Sequence, residues 1–193
     1  MISYRGLGVQ IETKNKILRE LAKREVPEQA IANIPSLVFS ISCMFHPQEI
    51  TEEVQEVMKN LTQVYLKSSL EMMEPIHAST LLLGFSRANY HNEEFMHKLC
   101  SEMKRPRFFF DTAEQDLVNI VSCLAELHHK DEELLDIIHE AVVEKVDEMK
   151  AYHALVLAQS YARLIPQKKE HYIDIAPRLV EIFESEPEFL DTA

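Results

Sequence analysis

Glycine is scarce in this chain: Gly6, Gly8 and Gly84 are the only three among 193 residues. A phosphate-cradling G-x-x-x-x-G-K loop and a dinucleotide-binding G-x-G-x-x-G turn both need glycines at fixed spacing, because a Cβ would block the approach of backbone to phosphate. Neither motif can be assembled here. Tryptophan is absent. The three cysteines, Cys43, Cys100 and Cys123, show no C-x-x-C spacing. That argues against a zinc ribbon or a disulfide framework and for a reducing compartment. No apolar run reaches the roughly 18 residues that span a bilayer. The opening MISYRGLGVQ lacks the charged and apolar regions of a signal peptide. A Gly-x-Ser-x-Gly nucleophile elbow is also missing.

What remains is helix-forming material. The chain is 46% hydrophobic and 27% charged, which suits one globular domain over residues 1–193. Its net charge of -12 is unevenly spread. Residues 75–110 hold 5 Lys+Arg against 3 Asp+Glu, whereas residues 111–193 hold 7 against 19. An acidic half of this kind repels phosphate backbones and favours a basic protein partner.

The chain also repeats itself. Residues 82–95 match residues 121–134 at an offset of 39, the distance from Asn92 to Asp131. The segment around His46–Pro47 matches His91–Asn92 at an offset of 45, and residues 155–169 continue the theme. Each unit reads as helix, polar turn, helix. Leu117, Ile120, Val121 and Leu124 form one apolar stripe, and Leu134, Ile138, Ala141 and Val142 form the next. Asn92 and Asp131 are placed to cap second helices. Thr51, Glu52 and Glu53 open a helix predicted over 51–72. Pro27, Pro35, Pro47, Pro75, Pro106 and Pro166 fall at helix ends, and Pro177 should start or kink the last helix. The expectation is an all-α solenoid of about four helical hairpins over residues 30–184. An N-terminal capping segment would occupy 11–29, with its helix at about 11–24, and an acidic tail 185–193. An ordinary helical bundle is the alternative.

The units LLLGFSRANYHNEEFMHKLCSEM and IVSCLAELHHKDEELLDIIHEAVVEKV resemble the helical repeats of octotricopeptide and FAST-kinase/RAP-type organellar proteins. They are more loosely similar to pentatricopeptide repeats. The resemblance implies a right-handed superhelix, a mitochondrial location in the matrix, and a role in RNA metabolism or large organellar complexes. No RAP domain is seen in these residues, and the acidic charge departs from a typical RNA binder. Short chains of this style serve as accessory subunits, such as the pentatricopeptide-like subunit of euglenozoan ATP synthase and the helical-repeat proteins of divergent mitochondrial ribosomes. The resemblance therefore implies a non-catalytic subunit that binds protein subunits and needs no cofactor.

Candidate residues follow from the repeat. Stepping by its offsets places Ser42, Arg87, Glu126 and Arg163 at equivalent, non-core positions, with Thr80 and Asn119 in a second row. If a ligand groove exists, these should line it. Tyr172, Ile182, Phe183 and Phe189 are the candidate anchors at the C-terminal end. Lys104–Arg105–Pro106–Arg107–Phe108–Phe109–Phe110 joins cations to aromatics, a combination that can hold single-stranded nucleic acid, and the alternative function is an RNA-associated organellar factor using the basic segment 87–110. The competing reading is a helix end whose phenylalanines plug the core. Glu94-x-x-His97 and Asp136-x-x-His139 have di-iron spacing, but the pairs are out of register, so solvated faces are expected and no metal. Cys43 and Cys123 should be inert core thiols. Gly84, aligned with Cys123, should mark a close helix crossing.

Overall fold

A computed structural model describes residues 4–23, 28–45, 51–68, 70 and 72–185, with backbone alone at 4–11, 22, 23, 28–30, 182, 183 and 185. Among the described residues there are nine α-helices and no strand. They are α1 (Tyr4–Lys23), α2 (Ile34–Met44), α3 (Glu52–Lys67), α4 (Pro75–Arg87), α5 (Glu93–Met103), α6 (Glu114–Glu126), α7 (Glu132–Val143), α8 (Ala151–Leu164) and α9 (Glu170–Ser185).

Local chemistry sets the helix ends. The Asn92 side chain accepts a hydrogen bond from the Phe95 N–H at 2.9 Å, and Asp131 accepts from the Leu134 N–H at 3.1 Å. Each satisfies a backbone donor that the first turn leaves free. Upstream of these caps, Asn89 and His128 take the left-handed conformation, with φ of 46° and 53°. At the first, Tyr90 N donates to Phe85 O and Asn89 N to Ser86 O; at the second, His129 N donates to Leu124 O and His128 N to Ala125 O. Both ends are therefore Schellman motifs, closed by one six-residue and one four-residue bond. They stand 39 residues apart, as do the two caps. The α4–α5 and α6–α7 turns thus share one geometry.

Two helices differ in extent from expectation. The first begins at Tyr4 instead of near residue 11. The helix predicted over 51–72 ends at Lys67, where Ser68 is extended. There the Lys98 ammonium of α5 donates to the carbonyls of Leu66 at 2.6 Å and Ser68 at 2.8 Å. A cation supplied from another helix satisfies those carbonyls and favours the negative end of the dipole. Pro177 lies inside α9, which runs through it.

The even-numbered helices pack in series, α2 on α4, α4 on α6 and α6 on α8. Odd-numbered helices contact each other beside this row, α1 with α3, α3 with α5 and α7 with α9. The predicted stripes face the core: Leu117, Ile120, Val121, Leu124, Leu134, Ile138 and Val142 are all buried. Gly84 marks a close crossing of α2 and α4. A Cβ there would stand 2.6 Å from Val38 Cγ1 and 2.9 Å from the Phe39 nitrogen. Backbone cannot retreat from a side chain as a flexible group can, so α2 and α4 approach this closely only because residue 84 has no side chain.

Candidate functional site

The positions expected to line one groove part company. Ser42 is fully buried, which corrects its assignment to a surface row. Its hydroxyl donates to the Phe39 carbonyl of its own helix at 2.7 Å, so burial leaves no polar group unpaired. Arg87, Glu126 and Arg163 are exposed. The Glu126 carboxylate accepts from the Ser86 hydroxyl, tying α6 to α4. Thr80 and Asn119 are half-buried. Thr80 bonds back to Ile76 O, and Asn119 donates to the Ser79 hydroxyl at 3.2 Å while accepting from Gln115. Of these six, Glu126 and Asn119 join neighbouring helices, whereas Ser42 and Thr80 bond within their own.

Among the cysteines the expectation holds for one and fails for another. Cys123 is buried, and burial pushes its thiol up to about 12. Cys100 behaves alike, also reaching about 12. Neither yields a thiolate near neutral pH. Cys43 is exposed, against its assignment to the core, because α2 turns Ser42 inward in its place.

The histidines also redistribute. Glu94 and His97 lie on an exposed face. His139 is buried, which corrects its reading as solvated, and so is His129. Burial, then the neighbouring His91 and His97, hold His129 below the ordinary imidazole value. No three metal-binding side chains among the described residues are placed to hold an ion.

The basic segment divides its cations between structure and surface. Lys104 pairs with Asp131 at 2.9 Å and Glu133 at 2.8 Å. The Glu133 hydrogen bond is the main reason its pKa is raised. Arg105 donates to the Met73 carbonyl at 2.9 Å. Arg107 is exposed, with its guanidinium 4.9 Å from the Phe110 ring centre. Phe108 and Phe109 plug the core as one reading expected, but Phe110 is 73% exposed. Arg107 and Asp111 both carry positive φ, 64° and 57°, and the intervening turns lift Phe110 outward. Beside this ridge lies a cleft of about 720 Å³, bounded by Ile76, Pro106, Arg107, Phe110, Thr112 and Asp116.

At the opposite end of the chain, α9 shows an apolar stripe to solvent. Ile173 is 66% exposed and Val180 53%, with Ala176 and Pro177 exposed between them. Residues three, four and seven apart share a helix face. The exposed carboxylates of Glu170, Asp174, Glu181 and Glu184 flank that stripe. Arg178 beside it is already engaged, donating to the Met149 carbonyl and to Glu181. Tyr152 of α8 adds a second exposed aromatic. Tyr172, expected as an anchor, is half-buried and packs on the core instead. The side chains of Ile182, Phe183 and Phe189 lie outside the described residues. The sequence had placed a last helix around Pro177 without showing that its exposed face, through Ile173 and Val180, is apolar.

No described helix is long and apolar enough to cross a membrane. No family model matches this chain, and the search of curated proteins finds no match.

Proposed function

We propose that this protein is a non-catalytic α-solenoid subunit that docks on protein partners through the outer face of α9. Serial packing of the even helices and the repeated Schellman turn support the solenoid reading. The observation that carries the function is the stripe of Ile173, Pro177 and Val180 set among four exposed carboxylates. An apolar stripe supplies affinity on desolvation, while flanking charge selects and steers a partner of opposite sign. The partner chemistry is therefore an apolar segment bordered by Lys or Arg. A mitochondrial accessory role, within a complex such as ATP synthase or the mitochondrial ribosome, rests on the repeat resemblance alone. The test is co-purification of tagged chain at native levels. Ile173→Asp with Val180→Asp should release the partners and leave the far-UV circular dichroism unchanged. Full retention of partners by that folded variant would overturn the reading.

The exposed Arg107–Phe110 pair favours a second reading, in which the ridge stacks on and neutralises RNA. Retention on RNA at physiological salt that disappears in Arg107→Glu/Phe110→Ala, with the α9 variant unaffected, would establish this reading over the first.

A further inference from the structure

Two histidines stand between α7 and α9, a smaller junction than the one α9 makes with α8. His139 on α7 and His171 on α9 stack with ring centres 4.0 Å apart and planes 19° from parallel. They are 7% and 3% exposed. Each reaches across to the other helix for its carboxylate. His139 Nε2 lies 3.0 Å from Asp174, and His171 Nε2 lies 3.0 Å from Asp136. The Lys168 ammonium, on the turn before α9, also rests on Asp136 at 2.5 Å. From α8, the buried Tyr161 ring faces both imidazoles, at 5.6 and 5.0 Å. Tyr161 OH, His139 Nδ1 and His171 Nδ1 are all buried without a hydrogen-bond partner.

This geometry suits one protonation state. A neutral imidazole donates from Nε2 to its aspartate and leaves a bare Nδ1 acceptor in the buried space, a mild cost. A protonated imidazole puts an N–H there with nothing to accept it, which is costlier. Charge adds to this. With both rings neutral, Asp136 and Asp174 outweigh Lys168 by one negative charge. The first proton balances that count. The second sets two cations 4.0 Å apart with one positive charge in excess.

We propose that the α7–α9 junction is a proton-operated latch, at which α9 detaches from α7 when both imidazoles become charged. Solvent-exposed imidazoles accept protons freely below about pH 6.5, so mild acid favours the detached helix. His171 is held below the ordinary imidazole value, mainly by burial and then by His139, against the opposing pull of Asp136. Detachment would carry the Ile173–Val180 face away from the row. Only that last consequence rests on the docking function proposed above; the latch itself is measured on the chain alone.

Hydrogen exchange of the full chain at pH 7.5 and 5.5, corrected for intrinsic rates, tests it. Amides of α9 should lose protection relative to those of α4 and α6. The loss should be about tenfold for each pH unit by which docking depresses the His171 titration. His139→Phe/His171→Phe keeps an aromatic stack without a titrating group, and its α9 protection should be equal at the two pH values. If that variant leaves α9 undocked throughout, proton NMR of the unaltered chain decides. The two imidazole titrations and the α9 amide shifts should share a midpoint. Equal α9 protection at both pH values in the unaltered chain, an acid loss that persists in the docked variant, or separate midpoints would overturn the latch. Loss of partner binding at both pH values with the latch intact would count against the docking reading alone.

Discussion

The contact of α2 with α4 and the contact of α7 with α9 are built from opposite materials. Between α2 and α4 the backbones meet through a missing side chain, with Val38 against Gly84. Between α7 and α9 the helices are bridged by ionisable groups that borrow carboxylates from each other. Shape complementarity is indifferent to pH and salt, whereas an imidazole–carboxylate bridge responds to both. One contact is thus fixed by geometry, and the other is bridged by chemistry that its surroundings can alter.

That contrast can be broken most forcefully at Gly84. Gly84→Val forces a branched side chain into space already filled by Val38 and the Phe39 backbone. We expect a loss of about 3 kcal/mol, at the upper end for overpacking. At 2–4 °C per kcal/mol for a chain of this size, thermal unfolding should then fall by roughly 6–12 °C. A melting temperature within a degree of the unaltered protein would show that the helices separate easily, contrary to the close crossing.

Removing a cap comes next. Asp131→Ala deprives α7 of its N-terminal acceptor, worth about 1 kcal/mol, and frees Lys104 from one of its two carboxylates. Denaturant titration should show a lower midpoint with an unchanged slope. Asn92→Ala, which removes only a cap, should do less; a larger effect there would mean that Lys104 contributes nothing.

A pH change sharpens the comparison more gently, since each imidazole of the latch keeps a carboxylate neighbour. His129 and His171 both titrate below their ordinary 6.5 in the folded chain. A depressed folded value means the unfolded state binds the proton more readily. Their contribution is therefore complete above the unfolded value and is lost as pH falls through the folded ones. Chemical stability at pH 7.5 should exceed that at pH 5, and His171→Phe should narrow the gap. Stability that rises on acidification would reverse the assigned direction.

Arg107→Glu should do least. Its guanidinium is exposed and rests on the Phe110 ring, and exposed substitutions usually stay within about 0.5 kcal/mol. A fall beyond 1 kcal/mol would show that the ridge carries structure as well as surface.

Much of this architecture was legible in the residues. Asn92 and Asp131 announced their caps because an N-cap is a local device whose donor lies three residues away. The Leu117–Leu124 stripe was readable because burial on one face repeats every 3.6 residues. Ser42 and Cys43 were misplaced because adjacent residues lie only about 100° apart on a helix. Which of them turns inward depends on how α2 settles on α4. His139 was harder still. Its partners, Asp174 and His171, lie 35 and 32 residues onward, and no periodicity links them. Phe110 escaped because two left-handed residues redirect the chain at positions that carry side chains, where glycine would have signalled the turn. At the candidate site, the acidity of α9 was evident, but its exposed stripe was not. An amphipathic pattern reveals one buried face and cannot say that the opposite face also carries Ile173 and Val180.

The twin Schellman turns have a consequence for how length itself is encoded. Asn89 and His128 carry the same backbone twist, and the chain leaves both toward equivalent caps. Excising residues 90–128 would join Asn89 directly to His129, with Asp131 still two residues further on to start a helix. The splice preserves the handedness of the bend and the direction of departure. It would bring α4 into the place α6 now holds before α7, shortening the protein by one helix pair across two turns of matching backbone conformation. In that sense the α4–α5 and α6–α7 turns are interchangeable links, and the number of helix pairs between them is a property that recombination can edit.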